Sequence, residues 1–279
     1  MSNWSSGDVI ANGIKIHYYR TGGDKPPLVL AHGFSDNGLC WTRVTQVLEK
    51  DYDVVMPDAR GHGLSDAPES GYTSEDHAAD LAGLIEALGL DKPALMGHSM
   101  GAASVAATVV GYPALLACAV LEDPPWFDES SPRNRGRASL SEEERRAQAE
   151  KRMADMLATK SKPREEIMAE GRQRSPTWDE IEFGPWADAK KQLSPNLLRP
   201  RERTFKPWHE IVGQITRPTL LLTADPDKAI VTPEIARQAA EMNDQIRWVR
   251  IEGAGHNIRR EQFDAFVQAV TEFLSQHYH

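Results

Sequence analysis

The chain predicts an α/β fold: a mostly parallel central sheet, helices on both faces, and a helical segment inserted between two strands. Three observations carry that expectation. Short apolar runs of strand length alternate with stretches of helical period. Residues 97–101 read Gly-His-Ser-Met-Gly, set between one such run and a small, apolar stretch of helical character. A charged block interrupts the alternation from Pro124, and the alternation resumes after Arg217-Pro218.

The elements follow in order. Ile14, Ile16 and Tyr18 alternate with polar neighbours after Asn12-Gly13, so a strand near Asp8–Ala11 turns back into a second strand. Pro27–Ala31 is a continuous apolar run, as a strand buried on both faces requires. A helix is expected over Trp41–Lys50 and a strand over Asp53–Asp58. Leu81, Leu84, Ile85 and Leu88 place a helix over Glu75–Leu88. Lys92–Met96 is the strand before the Gly-His-Ser-Met-Gly turn, and Ala102–Val110 the helix after it. Leu116–Leu121 is the next strand. Between 124 and 216 lie many charges, several prolines, and Trp126, Trp178, Trp186 and Trp208. Ser141–Leu157 reads as a helix with an acidic first turn, which suits the helix dipole. After residue 217, strands at Thr219–Thr223 and Ile246–Ile251 alternate with helices at Pro233–Met242 and Glu261–Ser275. Residues 1–123 and 217–279 are thus expected to form one core domain, and 124–216 a helical cap over it.

Composition narrows the functional classes. The 279 residues carry a net charge of −9, with 40% hydrophobic and 26% charged residues. That balance suits a soluble enzyme-sized domain and argues against nucleic acid or an anionic membrane as a partner, since both call for a basic face. The two cysteines, Cys40 and Cys118, sit in apolar surroundings and read as reduced core thiols. Met1–Asp8 is polar, with no apolar signal core, and no apolar run reaches membrane-spanning length. A cytoplasmic location is expected. Neither metal-ligand spacing nor a phosphate-binding loop occurs, so no metal and no cofactor is expected. Association as a homodimer stays open.

A strand, a tight turn and a helix around Gly-x-Ser-x-Gly is the setting of a nucleophile elbow, in which Ser99 stands exposed on a strained turn. With His32-Gly33-Phe34, with Asp58-Ala59-Arg60-Gly61-His62-Gly63-Leu64-Ser65, and with Gly253-Ala254-Gly255-His256, the chain resembles an α/β-hydrolase fold enzyme with a helical cap. The resemblance spans nearly the whole chain. Residues 124–216 add nothing diagnostic to it.

The resemblance and the chemistry together name a site. Ser99 is the expected nucleophile, and it needs a base to take its proton. His256 is the expected base, because it follows the last strand and loops at strand carboxyl ends converge on the site. The acid that orients His256 is expected at Asp227, where the family usually carries it. The order Ser99, Asp227, His256 also matches such hydrolases. Asp123, at the end of the strand after the elbow, is the alternative, and Asp225 and Glu122 flank the two. The oxyanion hole is expected from the Phe34 and Met100 N–H groups. His98 is expected to pack beneath the elbow, His32 to shape the oxyanion loop, and His62 to brace the Arg60–Ser65 loop. Trp126, Phe127 and Trp186 are candidates for an apolar pocket wall, though they would serve equally to glue cap to core.

The expected activity is hydrolysis of a carboxylic ester, lactone or thioester, a small-molecule substrate, through an acyl-enzyme. A cofactor-free perhydrolase and a carbon–carbon bond hydrolase use the same three roles and stay open. A non-catalytic ligand receptor would show the loss of one of those residues, and none is missing.

Overall fold

The computed structural model describes residues 4–127, 141–199 and 206–278. Strands β1 (Ser5–Ala11) and β2 (Ile14–Arg20) form the expected hairpin. Both turn residues, Asn12 and Gly13, have positive φ, the backbone that a type I′ turn demands and Asn-Gly supplies. Next come β3 (Pro27–Ala31), a 3-10 turn at Gly38–Trp41, α1 (Thr42–Leu48), β4 (Asp53–Pro57) and α2 (Ser74–Ala87). Thr73 and Asp76 close a reciprocal capping box at the start of α2. They are followed by β5 (Ala94–His98), α3 (Met100–Gly111) and β6 (Ala119–Glu122).

Between β6 and β7 the described residues form α4 (Glu142–Ser161), α5 (Arg164–Arg174), α6 (Glu180–Gln192) and α7 (Trp208–Val212). Part of the segment expected as a cap, 128–140 and 200–205, lies outside the described residues. The chain then runs through β7 (Thr219–Thr223), α8 (Pro233–Met242), β8 (Ile246–Arg250), α9 (Ile258–Glu261) and α10 (Phe263–His277). The closing helix expected over Glu261–Ser275 is α10, which starts at Phe263; Gln262, with φ −133° and ψ 62°, is non-helical and separates it from the short α9.

The eight strands form one sheet in the order β1-β2-β4-β3-β5-β6-β7-β8. The pairs β1–β2 and β2–β4 are antiparallel, and all others are parallel. Alternate residues of the central strands feed two separate cores. Val29, Val55, Leu95, Leu121 and Leu221 face α2, α3 and α8. Leu28, Leu30, Val54, Met56, Met96, Val120 and Leu220 face α1 and α10. Burial on both faces is why these strands read as unbroken apolar runs.

The inserted helices pack more thinly. Ile167 and Met168 of α5 meet Phe183, Trp186 and Ala187 of α6, and Cys40 of the 3-10 turn closes that cluster from below. Of the twenty residues of α4, only Met156 is buried.

Candidate active site

The carboxyl edge of β5 sets the site. Ser99 follows β5 and precedes α3, with φ 52° and ψ −113°, a strained conformation for a non-glycine residue. Its N–H donates to the Glu122 carbonyl (2.9 Å) and its carbonyl accepts from Ala103 N–H (3.0 Å), so the turn is pinned at both ends. The flanking glycines are sterically obligatory. A Cβ on Gly97 would lie 2.3 Å from the Gly101 carbonyl oxygen, and one on Gly101 would lie 2.1 Å from that of Ala31. The Gly-x-Ser-x-Gly spacing is thus the record of two close backbone approaches.

Asp123 ends β6, the strand beside β5, also with positive φ (43°). Its fully buried carboxylate accepts Ile230 N–H (2.9 and 3.1 Å), Val231 N–H (3.0 Å) and His256 Nδ1 (2.6 Å). Asp227, the acid expected from chain order, is not brought to His256. It lies exposed on the turn that follows β7. The reason is the path of that turn, which doubles back so that residues 230 and 231, not 227, reach the end of β6. Asp225 serves the turn itself. It receives Gly253 N–H at its side chain (3.1 Å) and gives its own N–H to Ala254 (3.0 Å), stitching the loop that carries His256.

His98 packs under the elbow. Its Nε2 lies 3.0 Å from the His256 carbonyl oxygen, and its ring is 4.7 Å from that of His256. Burial, then the nearby Arg259 and His256, hold His98 well below its usual pKa, so it is neutral and donates Nε2–H to that carbonyl. His32 Nε2 accepts Ala59 N–H (2.9 Å), which leaves Nδ1–H to donate to the Gly33 carbonyl (2.9 Å). His62 Nδ1 reaches the Arg60 carbonyl (2.9 Å), and its ring meets Phe34 edge-on.

Phe34 is partly exposed, and Met100 is the first residue of α3. Among the described residues, neither backbone N–H is taken up by a hydrogen bond within the protein. Trp126 is buried in the core cluster that also holds Trp208, Phe127 is half-buried, and Trp186 is packed between α5 and α6. No cluster of metal-ligating side chains occurs among the described residues.

Sequence reasoning missed a buried ionic chain under the site. Arg259 pairs with Glu122 (3.1 Å) and Asp36 (3.2 Å) and lies over the Trp41 ring. Arg260 pairs with Asp36 (3.3 Å) and with Glu182 of α6 (2.9 Å). Burial works to raise the Asp36 carboxyl, but Arg260, Lys190 and Arg259 outweigh it and hold the group well below the usual carboxylate range. Burial raises Glu122, with Arg259 opposing. The chain links the strand end beside Asp123, the loop after Phe34, the helix after His256, and α6. Nothing in the sequence marks Arg259-Arg260 as buried.

The alpha/beta hydrolase family model matches residues 28–269, and the chain belongs to that family of enzymes. It is similar to an N-formylmaleamate deformylase of Pseudomonas putida, 31% identical over 97% of this chain and 96% of the relative. It is also similar to a 2-(acetamidomethylene)succinate hydrolase of Mesorhizobium japonicum, 26% identical over 91% of this chain and 90% of the relative. Among solved structures, an E-2-(acetamidomethylene)succinate hydrolase superposes with a TM-score of 0.76 at 20% identity, covering 98% of this chain and all of that one. No helix among the described residues is long and apolar enough to cross a membrane.

Proposed function

We propose that the chain is a serine hydrolase that cleaves a small ester, lactone or thioester through an acyl-enzyme, with Ser99 as nucleophile, His256 as base and Asp123 as acid. The observation that carries this reading is the 2.6 Å contact between His256 Nδ1 and the buried Asp123 carboxylate, at the strand edge that presents Ser99. That contact holds the proton on Nδ1 and leaves Nε2 free to accept the Ser99 hydroxyl proton. Ser99 Oγ bonds to the carbonyl carbon, and the oxyanion that forms is received by the N–H of Phe34, in the loop after β3, and that of Met100, at the start of α3. Collapse expels the leaving group, which takes the proton from His256. Water then repeats the sequence and frees the acid.

Residues 124–216 serve in this reading as a cap over the core formed by 1–123 and 217–279. Trp126, Phe127 and Trp186 shape the cap–core boundary. The burial of Trp186 against Cys40 supports that placement.

A second reading has specific support. Both whole-length relatives are named for substrates carrying an N-acyl group, N-formylmaleamate and 2-(acetamidomethylene)succinate. The same machinery would pass the acyl group from nitrogen to Ser99, with His256 protonating the leaving nitrogen. One panel tests both readings: p-nitrophenyl acetate, a lactone, a thioester and N-acyl enamides, assayed with wild type and Ser99→Ala. Wild type is expected to turn over at least one class and to be labelled by a fluorophosphonate, and Ser99→Ala is expected to do neither. Turnover retained by folded Ser99→Ala overturns the serine mechanism.

A further inference from the structure

We propose that Lys190 is a positioning residue that fixes the oxyanion loop from helix α6, so that the quality of the oxyanion hole depends on how that helix is seated. The inference rests on the reading of Phe34 N–H as an oxyanion donor.

The geometry is specific. Lys190 Nζ donates to both the carbonyl (2.8 Å) and the hydroxyl (2.7 Å) of Ser35, the residue after Phe34. Ser35 holds φ 63°, a conformation that a serine keeps only where its surroundings impose it. Asp36 N–H closes the same turn on the Gly33 carbonyl (3.1 Å). One residue on, Asn37 Nδ2 donates to Gln192 of α6 (2.8 Å). The loop that carries Phe34 is thus gripped from above by two side chains of one helix. From below, Asp36 is gripped by Arg259 and Arg260, and Arg260 returns to Glu182 on α6.

The Lys190 ammonium is costly where it sits. Burial lowers its pKa, Asp36 and Cys40 oppose that, Arg260 and Arg174 add to it, and the Trp186 ring lies one turn back (4.7 Å). A half-buried charge needs hydrogen bonds that use it, and an ammonium has three donors. Here two of them go to the strained residue beside the oxyanion donor rather than to a carboxylate. An oxyanion donor contributes only when preorganised towards the developing charge, so a loop free to relax at Ser35 would leave Phe34 N–H less well aimed.

The test compares wild type, Lys190→Met, Lys190→Arg and Ser35→Ala on the best ester of the panel. It also measures the affinity of an aryl trifluoromethyl ketone, whose hemiketal oxygen occupies the oxyanion position. Removing the ammonium is expected to lower kcat on the order of tenfold, short of the 100- to 1,000-fold typical of losing a whole donor. KM should stay within about twofold, ketone affinity should fall in proportion to kcat, and Lys190→Arg should recover part of both. A merely structural role would lower the amount of active enzyme and leave ketone affinity unchanged, and that result overturns the proposal. So does Lys190→Met with wild-type kcat. Should Lys190→Met fail to fold, Ser35→Ala decides alone: it removes one of the two hydrogen bonds, and unchanged kcat and ketone affinity refute the role. A ketone that does not bind wild type instead overturns the serine reading itself, before any variant is compared.

Discussion

Replacing Asp123 by asparagine separates the two candidate acids, and its effect follows from the hydrogen bonds around that carboxylate. One oxygen accepts Ile230 and Val231 N–H, and the other accepts Ile230 N–H and His256 Nδ1. An asparagine keeps its carbonyl on the side of the two backbone donors, which leaves its NH2 facing His256. Two donors then meet at 2.6 Å unless the imidazole moves its proton to Nε2. In that tautomer Nε2 cannot take the Ser99 proton. The expected loss is on the order of 10⁴ in kcat, about 5 kcal/mol of transition-state stabilisation. The fold should survive, because one hydrogen bond to a charged group is exchanged for a poorer contact, at about 2 kcal/mol, or roughly 4–8 °C of melting temperature for a chain of this length. Asp227→Asn changes an exposed side chain and should stay within about 0.5 kcal/mol of wild type in stability, with activity unaltered. The assay is kcat for the best ester, with melting followed by circular dichroism on the same samples. An Asp227→Asn loss equal to that of Asp123→Asn, or an Asp123→Asn variant keeping a tenth of wild-type kcat, refutes the reasoning.

Two further outcomes follow. Ser99 holds a left-handed backbone at φ 52°, so Ser99→Gly should abolish ester turnover while raising stability by about 1 kcal/mol, read as an upward melting shift; a fall in melting temperature would mean the turn is not strained. Burial holds His62 and His98 well below the usual histidine pKa, so the unfolded chain binds more protons than the native one once pH drops below about 6.5. Stability is therefore complete above that pH and should fall on acidification from about 6.5 to 5, by up to about 1.4 kcal/mol per pH unit for each histidine, as urea titrations at fixed temperature would show; a flat profile across that window contradicts neutral burial.

The sheet was legible because its physics is local. A parallel strand covered on both faces must be apolar throughout, so Leu28–Ala31 and Leu220–Leu222 announce themselves, and the two cores they feed are the observed ones. The elbow was legible for a related reason. Gly97 and Gly101 have no room for a Cβ, and that constraint is written in the residues themselves. The inserted helices gave a weaker signal because they bury little; α4 commits one side chain of twenty, too few for a period to stand out. The charged chain beneath the site was not legible at all. Arg259 finds Asp36 at a separation of 223 residues and Glu122 at 137, while Arg260 finds Glu182 at 78. Such pairings have no periodicity, and an Arg-Arg dipeptide next to a Glu reads as solvated surface until the fold closes around it.

The acid shows where the boundary falls. Asp123 and Asp227 both stand after buried strands, and chain order favoured the second. What favours the first is a pair of backbone N–H groups, at Ile230 and Val231, that the β7 turn delivers to the end of β6. Backbone donors carry no residue code, so no reading of side chains could have found them. Once they are in place, the carboxylate at Asp123 is oriented before His256 arrives, while Asp227, two strands from the elbow, is left in solvent. A buried, thrice-satisfied carboxylate keeps its geometry as charge develops on the imidazole, whereas an exposed one would have to be desolvated and oriented in each turnover. That difference in preorganisation, rather than position in the chain, is the physical reason for proposing Asp123 in the orienting role.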